Sequence, residues 1–294
     1  MKPSTSLVAL TVVAIVSIWN IAHAQPRETI TWYTSDFPPN TIYDGPDKGK
    51  GNNDLALQDF IARMPQYDHK MEEAVTTRML DSLAHEPSSC TLQLVKNAER
   101  EKTIAYSSRP HVHVLPNAMV VLRKQLDTFK PFMNSAGEIR LEEALASGKI
   151  KVAVSKNRSY GAAIDPVLKK YPNAAVPLPP NLKSSLGIVL RKLESHDEFD
   201  AGFGYVTEMN YLIKNSKLNP ADYVSLPVAG SSLVPLPVAC SKSDSGKRIL
   251  AEIDKILADP AVQQTFDARY KSWIDPAVVP YYDEMLKQAT KSGK

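Results

Sequence analysis

Two arginines of this chain, Arg100 and Arg158, are of a residue type that could bind an anion. Arg100 lies in the run Glu99-Arg100-Glu101-Lys102-Thr103-Ile104-Ala105-Tyr106-Ser107. A guanidinium offers paired N–H donors in a fixed fork and keeps its charge, which suits two-pronged capture of a carboxylate. The bland reading is a surface ion pair with Glu99 or Glu101. Arg158 lies in the polar turn Ser155-Lys156-Asn157-Arg158-Ser159, where it either adds positive charge for an anionic ligand or faces solvent. Tyr205 and Glu208, a phenol and a carboxylate, follow an apolar run, Phe199-Asp200-Ala201-Gly202-Phe203. Phe37, in Asp36-Phe37-Pro38-Pro39-Asn40, sits in a turn-like segment where a ring could wall a ligand; Trp32 and Tyr33 are other candidates, with Trp32 reading as core.

Other signals are weaker. His111-x-His113 could place two imidazoles on one strand face, but no third ligand is evident, so no metal site is expected. Gly202-x-Gly204 lacks the third glycine of a dinucleotide fingerprint. There is no nucleophile elbow, P-loop or HExxH, and no cofactor is expected. Net charge is +3 and the basic residues are scattered, which leaves no footprint for nucleic acid. Cys90 and Cys240, if paired, would close a loop of about 150 residues, a constraint of roughly 5 kcal/mol by chain entropy. Their spacing is equally compatible with two buried free thiols.

The first 24 residues read as a cleaved secretory signal peptide. Lys2 marks the charged start, an apolar run follows from Leu7 to Trp19, and Ala22-His23-Ala24 supplies the small-x-small exit. The remaining 294 − 24 = 270 residues suit one large or two medium domains.

Strand and helix patterns alternate along those residues. Short apolar runs predict strands at 29–33, 90–95, 118–122, 149–154, 199–206 and 238–240. Helical spacing predicts helices at 77–84, 141–146, 160–171, 182–193, 208–215, 245–258 and 261–273, and a stripe at Leu57, Phe60, Ile61 and Met64 after Asp54. The alternation argues for an α/β chain with largely parallel sheets. Ligands on such sheets bind at the carboxyl ends of strands.

Five segments together resemble the family 3 extracellular solute-binding proteins. They are Asp36-Phe37-Pro38-Pro39, the helix entry from Gly51 to Phe60, Glu99-Arg100 with Tyr106-Ser107, Asp200-Ala201, and Tyr270-Lys271-Ser272-Trp273. The resemblance implies a type II periplasmic binding protein fold, two α/β lobes joined by two crossing segments. Lobe one would be residues 25–115 and 235–294, and lobe two residues 116–234. Both cysteines then fall in lobe one, which favours a Cys90–Cys240 disulfide. Arg100 takes the place of the family's carboxylate-binding arginine. Arg158 and Ser159 stand where the family has a Gly-Thr-type loop, and Tyr205 stands where it usually has an Asp for the ligand's ammonium. These departures admit a carboxylate without an amine.

The implied protein is a periplasmic monomer that captures a small anionic or zwitterionic solute for an ABC-type transporter or a sensor. Two rivals share the scaffold. A dehydratase like the cyclohexadienyl or arogenate enzymes would use Glu208 or Tyr205 as general acid. A signalling or scaffold protein would have a filled or collapsed cleft.

Overall fold

A computed structural model describes residues 27–179, 185–195 and 198–292 of the chain. The expected signal peptide, 1–24, lies outside the described residues. Among those residues no helix is long and apolar enough to cross a membrane.

The chain opens with β1 (Thr29–Thr34), α1 (Asn52–Arg63), β2 (Asp68–Glu73), α2 (Thr76–His85), β3 (Ser89–Thr91) and the long β4 (Ile104–Val114). It then enters a second unit: β5 (Ala118–Leu122), α3 (Leu126–Phe129), α4 (Leu141–Ala146), β6 (Val152–Val154), α5 (Asp165–Lys170), β7 (Ala175–Pro177), α6 (Ser185–Leu193), β8 (Ala201–Gly204), α7 (Val206–Lys214) and β9 (Tyr223–Leu226). It returns through β10 (Val234–Ser241) and ends with α8 (Asp244–Leu257), α9 (Pro260–Lys271) and α10 (Val279–Ser292). Two five-stranded sheets result, ordered β2-β1-β3-β10-β4 and β7-β6-β8-β5-β9. These are two α/β lobes, and the chain crosses between them once after β4 and again before β10.

Each sheet is mixed: four of its five strands run one way and one, β10 or β5, runs against them. In the first, β1 runs parallel to β2 and β3, whereas β10 is antiparallel to β3 and β4. In the second, β6 runs parallel to β7 and β8, whereas β5 is antiparallel to β8 and β9. The strands next to the crossings, β5 and β10, enter from the other lobe and so run against their neighbours. Pro235 and Pro237 lie inside β10, a central strand, where proline removes a ladder donor. The register shifts on both sides of Pro237, where such a proline is tolerated, and Pro235 lies where β10 is paired with β4 only.

Both sheets are covered on both faces. In the first lobe Trp32 stacks on Phe60, and both pack with Ile253 and Phe266. The predicted stripe on α1 is buried at Leu57, Phe60 and Met64, with Ile61 at its margin. In the second lobe Phe129, Leu141, Val152 and Phe203 fill one side and Leu186, Leu190 and Leu193 the other. Gly246, in the first turn of α8, has no room for a side chain: a Cβ there would meet the Ser241 carbonyl oxygen at 2.0 Å. Cys90 and Cys240 face each other across β3 and β10 and form a disulfide.

His111 on β4 is buried, with Nε2 3.2 Å from Asn53 Oδ1. Burial pushes its pKa down to about 4 from an ordinary 6.5. The folded chain keeps the ring neutral while the unfolded chain takes a proton, so this stability is complete above about pH 6.5 and is lost as pH falls towards 4. The loss approaches ~3 kcal/mol at the bottom of that window. Urea midpoints measured at about pH 7 and about pH 4.5 should therefore fall further apart in the native protein than in His111→Gln. Equal acid losses in the two proteins would contradict it.

Candidate functional site

A cleft of about 500 Å³ opens between the lobes. The first lobe contributes the loop after β1. There Phe37 and Thr41 exchange backbone hydrogen bonds around a cis Pro38–Pro39 peptide. Gln93 braces this loop: its Nε2 donates to the Ser35 carbonyl and to Thr41 Oγ1, and its Oε1 accepts from the Ser35 amide. The strand expected at 90–95 is confined to Ser89–Thr91.

Arg100 opens a single 3₁₀ turn, with its amide capped by Asn97 Oδ1. Its Nη1 donates to the Val95 carbonyl at 2.7 Å and its Nη2 reaches across the cleft to the Asn157 carbonyl, also at 2.7 Å. Among the described residues it has no carboxylate as an ion-pair partner. Two of its five N–H donors are used, so three remain for a ligand. Burial, the largest influence, pulls its pKa down from the ordinary value, as expected for a cation short of counter-charge.

The second lobe contributes the turn after β6 and the start of α7. The helix expected over 160–171 is confined to Asp165–Lys170. The Asp165 carboxylate accepts the Tyr160 amide and the Ser159 hydroxyl, and Gly161 takes a positive φ of 105°. Pro166 then supplies the first helical turn, where its missing N–H costs nothing. Residues 155–160 are thereby held as an ordered turn at the cleft.

Arg158 does not face solvent. Its Nη2 donates to Glu208 Oε2 at 2.8 Å and to Asn117 Oδ1 at 3.3 Å, and its Nη1 lies 3.4 Å from Glu208 Oε1. The two side chains are 15% and 3% exposed, so the pair is largely out of water. The guanidinium lies 5.2, 5.3 and 5.9 Å from the ring centres of Phe37, Tyr160 and Tyr205. Burial opposes its charge, but Glu208 more than offsets this and its pKa is held above the ordinary value. Tyr205 caps α7 and meets Phe37 edge-on at 6.1 Å across the cleft. Burial pushes its phenol up, partly countered by Arg158 and Asn117.

No family model and no curated protein matches the chain. Solved structures do. A putative L-cystine ABC transporter protein from Listeria monocytogenes aligns over 85% of this chain and 97% of its own, at 17% identity and a TM-score of 0.64. A histidine kinase sensor domain with similarity to periplasmic binding proteins aligns over 85% and 96%, at 18% identity and a TM-score of 0.64. An arginine-specific periplasmic binding protein from Salmonella typhimurium aligns over 84% and 100%, at 18% identity and a TM-score of 0.57. The fold is the two-lobed periplasmic binding protein fold of type II.

In this binding-protein fold all six residues picked from the sequence reach one cleft: Phe37 and Arg100 on the first lobe, Arg158, Ser159, Tyr205 and Glu208 on the second. Their partners differ from expectation. Glu208 is turned onto Arg158 rather than left open, and the Ser159 hydroxyl is spent on Asp165. The sequence reading passed over Thr76 and Thr77, which bring the N-terminus of α2 to the cleft wall, and Asp36, Glu73 and Lys156 on its margin. The Thr-Thr pair just ahead of an apolar helical stripe was the one signal that could have flagged that wall.

Proposed function

We propose that this chain captures a small carboxylate-bearing, amino-acid-like solute between its lobes, outside the cytoplasm, and presents it to an ABC-type transporter or a sensor. The reading is carried by one observation: the Arg100 guanidinium stands in the cleft with three donors spare and no acid among the described residues to pair with it. A carboxylate would complete it by a two-pronged, charge-assisted contact. Because Arg100 already donates to a carbonyl of the opposite lobe, a ligand held there would meet both lobes and favour their closure. The names of the similar structures, which cover amino-acid transport and sensing, support the same class of ligand and partner. The disulfide fits an oxidising compartment.

Two features weigh against the rival roles. A general acid needs both a proton and a free face towards substrate, and both Glu208 oxygens are turned to Arg158, which leaves that rival only Tyr205. A collapsed scaffold would have no cleft of about 500 Å³.

Titration calorimetry against amino acids, dicarboxylates and keto acids tests the reading. A ligand should be found whose affinity drops at least ~100-fold in Arg100→Ala, since two hydrogen bonds to a charged group are lost. Arg100→Lys should restore little, having no planar fork. A ligand held equally well by Arg100→Ala would remove Arg100 from the site.

A further inference from the structure

Three rings around a guanidinium with a carboxylate at its end are the chemistry that recognises a cation. Here Phe37, Tyr160 and Tyr205 supply the rings, Glu208 the carboxylate, and the cation is the chain's own Arg158. We infer that the cleft contains a cation subsite that Arg158 fills from within, making Arg158 a specificity-determining residue: the captured solute is a carboxylate whose remaining part is uncharged or anionic, not tipped by a guanidinium or ammonium group. The carboxylate half of this statement rests on the proposed function; the filled subsite does not.

The occupant is hard to displace. Arg158 is tethered in a turn that Asp165 fixes on its far side, through Ser159 and the Tyr160 amide. A tethered group competes at an effective concentration of roughly millimolar or more, above that of a dilute free solute. A cationic ligand would also have to strip Arg158 from Glu208 in a site largely closed to water, leaving that guanidinium without a counter-ion. The other acids lining the cleft are Asp36, which accepts the Tyr43 amide, and Glu73, which is exposed and offers a cation only a solvent-screened contact.

Two arms test this. In the first, L-citrulline and L-arginine, which share a carbon skeleton but differ in the charge at the tip, are titrated into the native protein. Citrulline should bind at least about tenfold more tightly; arginine binding as well as citrulline would overturn the inference while leaving the Arg100 reading intact. In the second, ethylguanidinium, which carries no carboxylate, is added at millimolar concentration to the native protein, to Arg158→Ala and to the double variant Arg158→Ala, Glu208→Gln. It should raise the melting temperature of Arg158→Ala alone, and should do so equally when Arg100→Ala is added. If Arg158→Ala shows no folding transition without it, recovery of a transition is the same readout. No response in Arg158→Ala, or an equal response in the native protein, would overturn the filled subsite. Where the native protein binds neither amino acid, the ethylguanidinium arm alone decides this inference, and the proposed function is decided by the wider panel of carboxylates.

Discussion

Replacing Cys90 and Cys240 together by alanine should lower the stability of the first lobe by up to about 5 kcal/mol. The bond joins β3 to β10, and the residues between them, 150 positions apart, include the whole second sheet. In the unfolded chain the bond ties off that entire excursion, and a loop of this length loses more entropy on closure than a short one. In the folded chain the two cysteines are already opposite each other in an antiparallel ladder and fully buried, so the native state gives up only the bond itself when it is removed. Alanine is the better replacement because serine would bury two hydroxyls in the apolar cluster around Trp32. The measurement is denaturant unfolding followed by the fluorescence of Trp32, which is fully buried in that cluster. The alanine pair and the native protein under reductant should share a lowered midpoint. A midpoint unchanged in both would mean that the bond does not constrain the unfolded chain.

What could be read in the sequence depended on whether a signal was local. The apolar stripe of α1 and the run Ala118-Met119-Val120-Val121-Leu122 announced a packed helix and a fully buried strand, and both are present. β2 was missed because Asp68-His69-Lys70-Met71-Glu72-Glu73 has neither apolar alternation nor β-rich composition. It is a mostly exposed edge strand, held by its ladder to β1 and by His69, which accepts from Trp32 Nε1 and stacks on that ring. β4 and most of β10 were obscured by prolines, of which Pro110 and Pro237 meet at a register shift. The helix expected from Tyr160 looked continuous because spacing carries no information about Asp165 turning back to hold the preceding turn.

The site divides in the same way. The family resemblance picked out Arg100, Arg158 and Glu208 by their places along the chain, since residue type alone reads each arginine equally well as a surface ion pair. Which of them pair was not visible. Arg158 and Glu208 lie 50 positions apart. They meet because β6 and β8 are adjacent and parallel, with Val152 opposite Ala201 and Ala153 opposite Gly202. Both strands therefore leave the sheet at the same edge, and each residue follows its strand by a few positions. That register is fixed by packing on both faces of the second sheet, which no local pattern encodes.

Glu208→Ala should destabilise the second lobe by about 3–5 kcal/mol, a larger effect than an exposed ion pair could give. Removing the acid leaves a guanidinium among three rings with no counter-ion, in a place where its side chain is only 15% exposed. The helix adds to the cost: Glu208 sits in the first turn of α7, where a negative charge is favoured by the helix dipole. Arg158→Met, Glu208→Leu should recover most of the loss, since two apolar side chains of similar length need no partners and can pack against Phe37, Tyr160 and Tyr205. A double-mutant cycle on urea unfolding, followed by circular dichroism, separates this coupling from the cost of each side chain. Strong non-additivity is expected, with the double variant more stable than either single one. Simple additivity would mean that the two charges are solvated independently, and the cleft would then hold two open ionic groups in place of one closed pair.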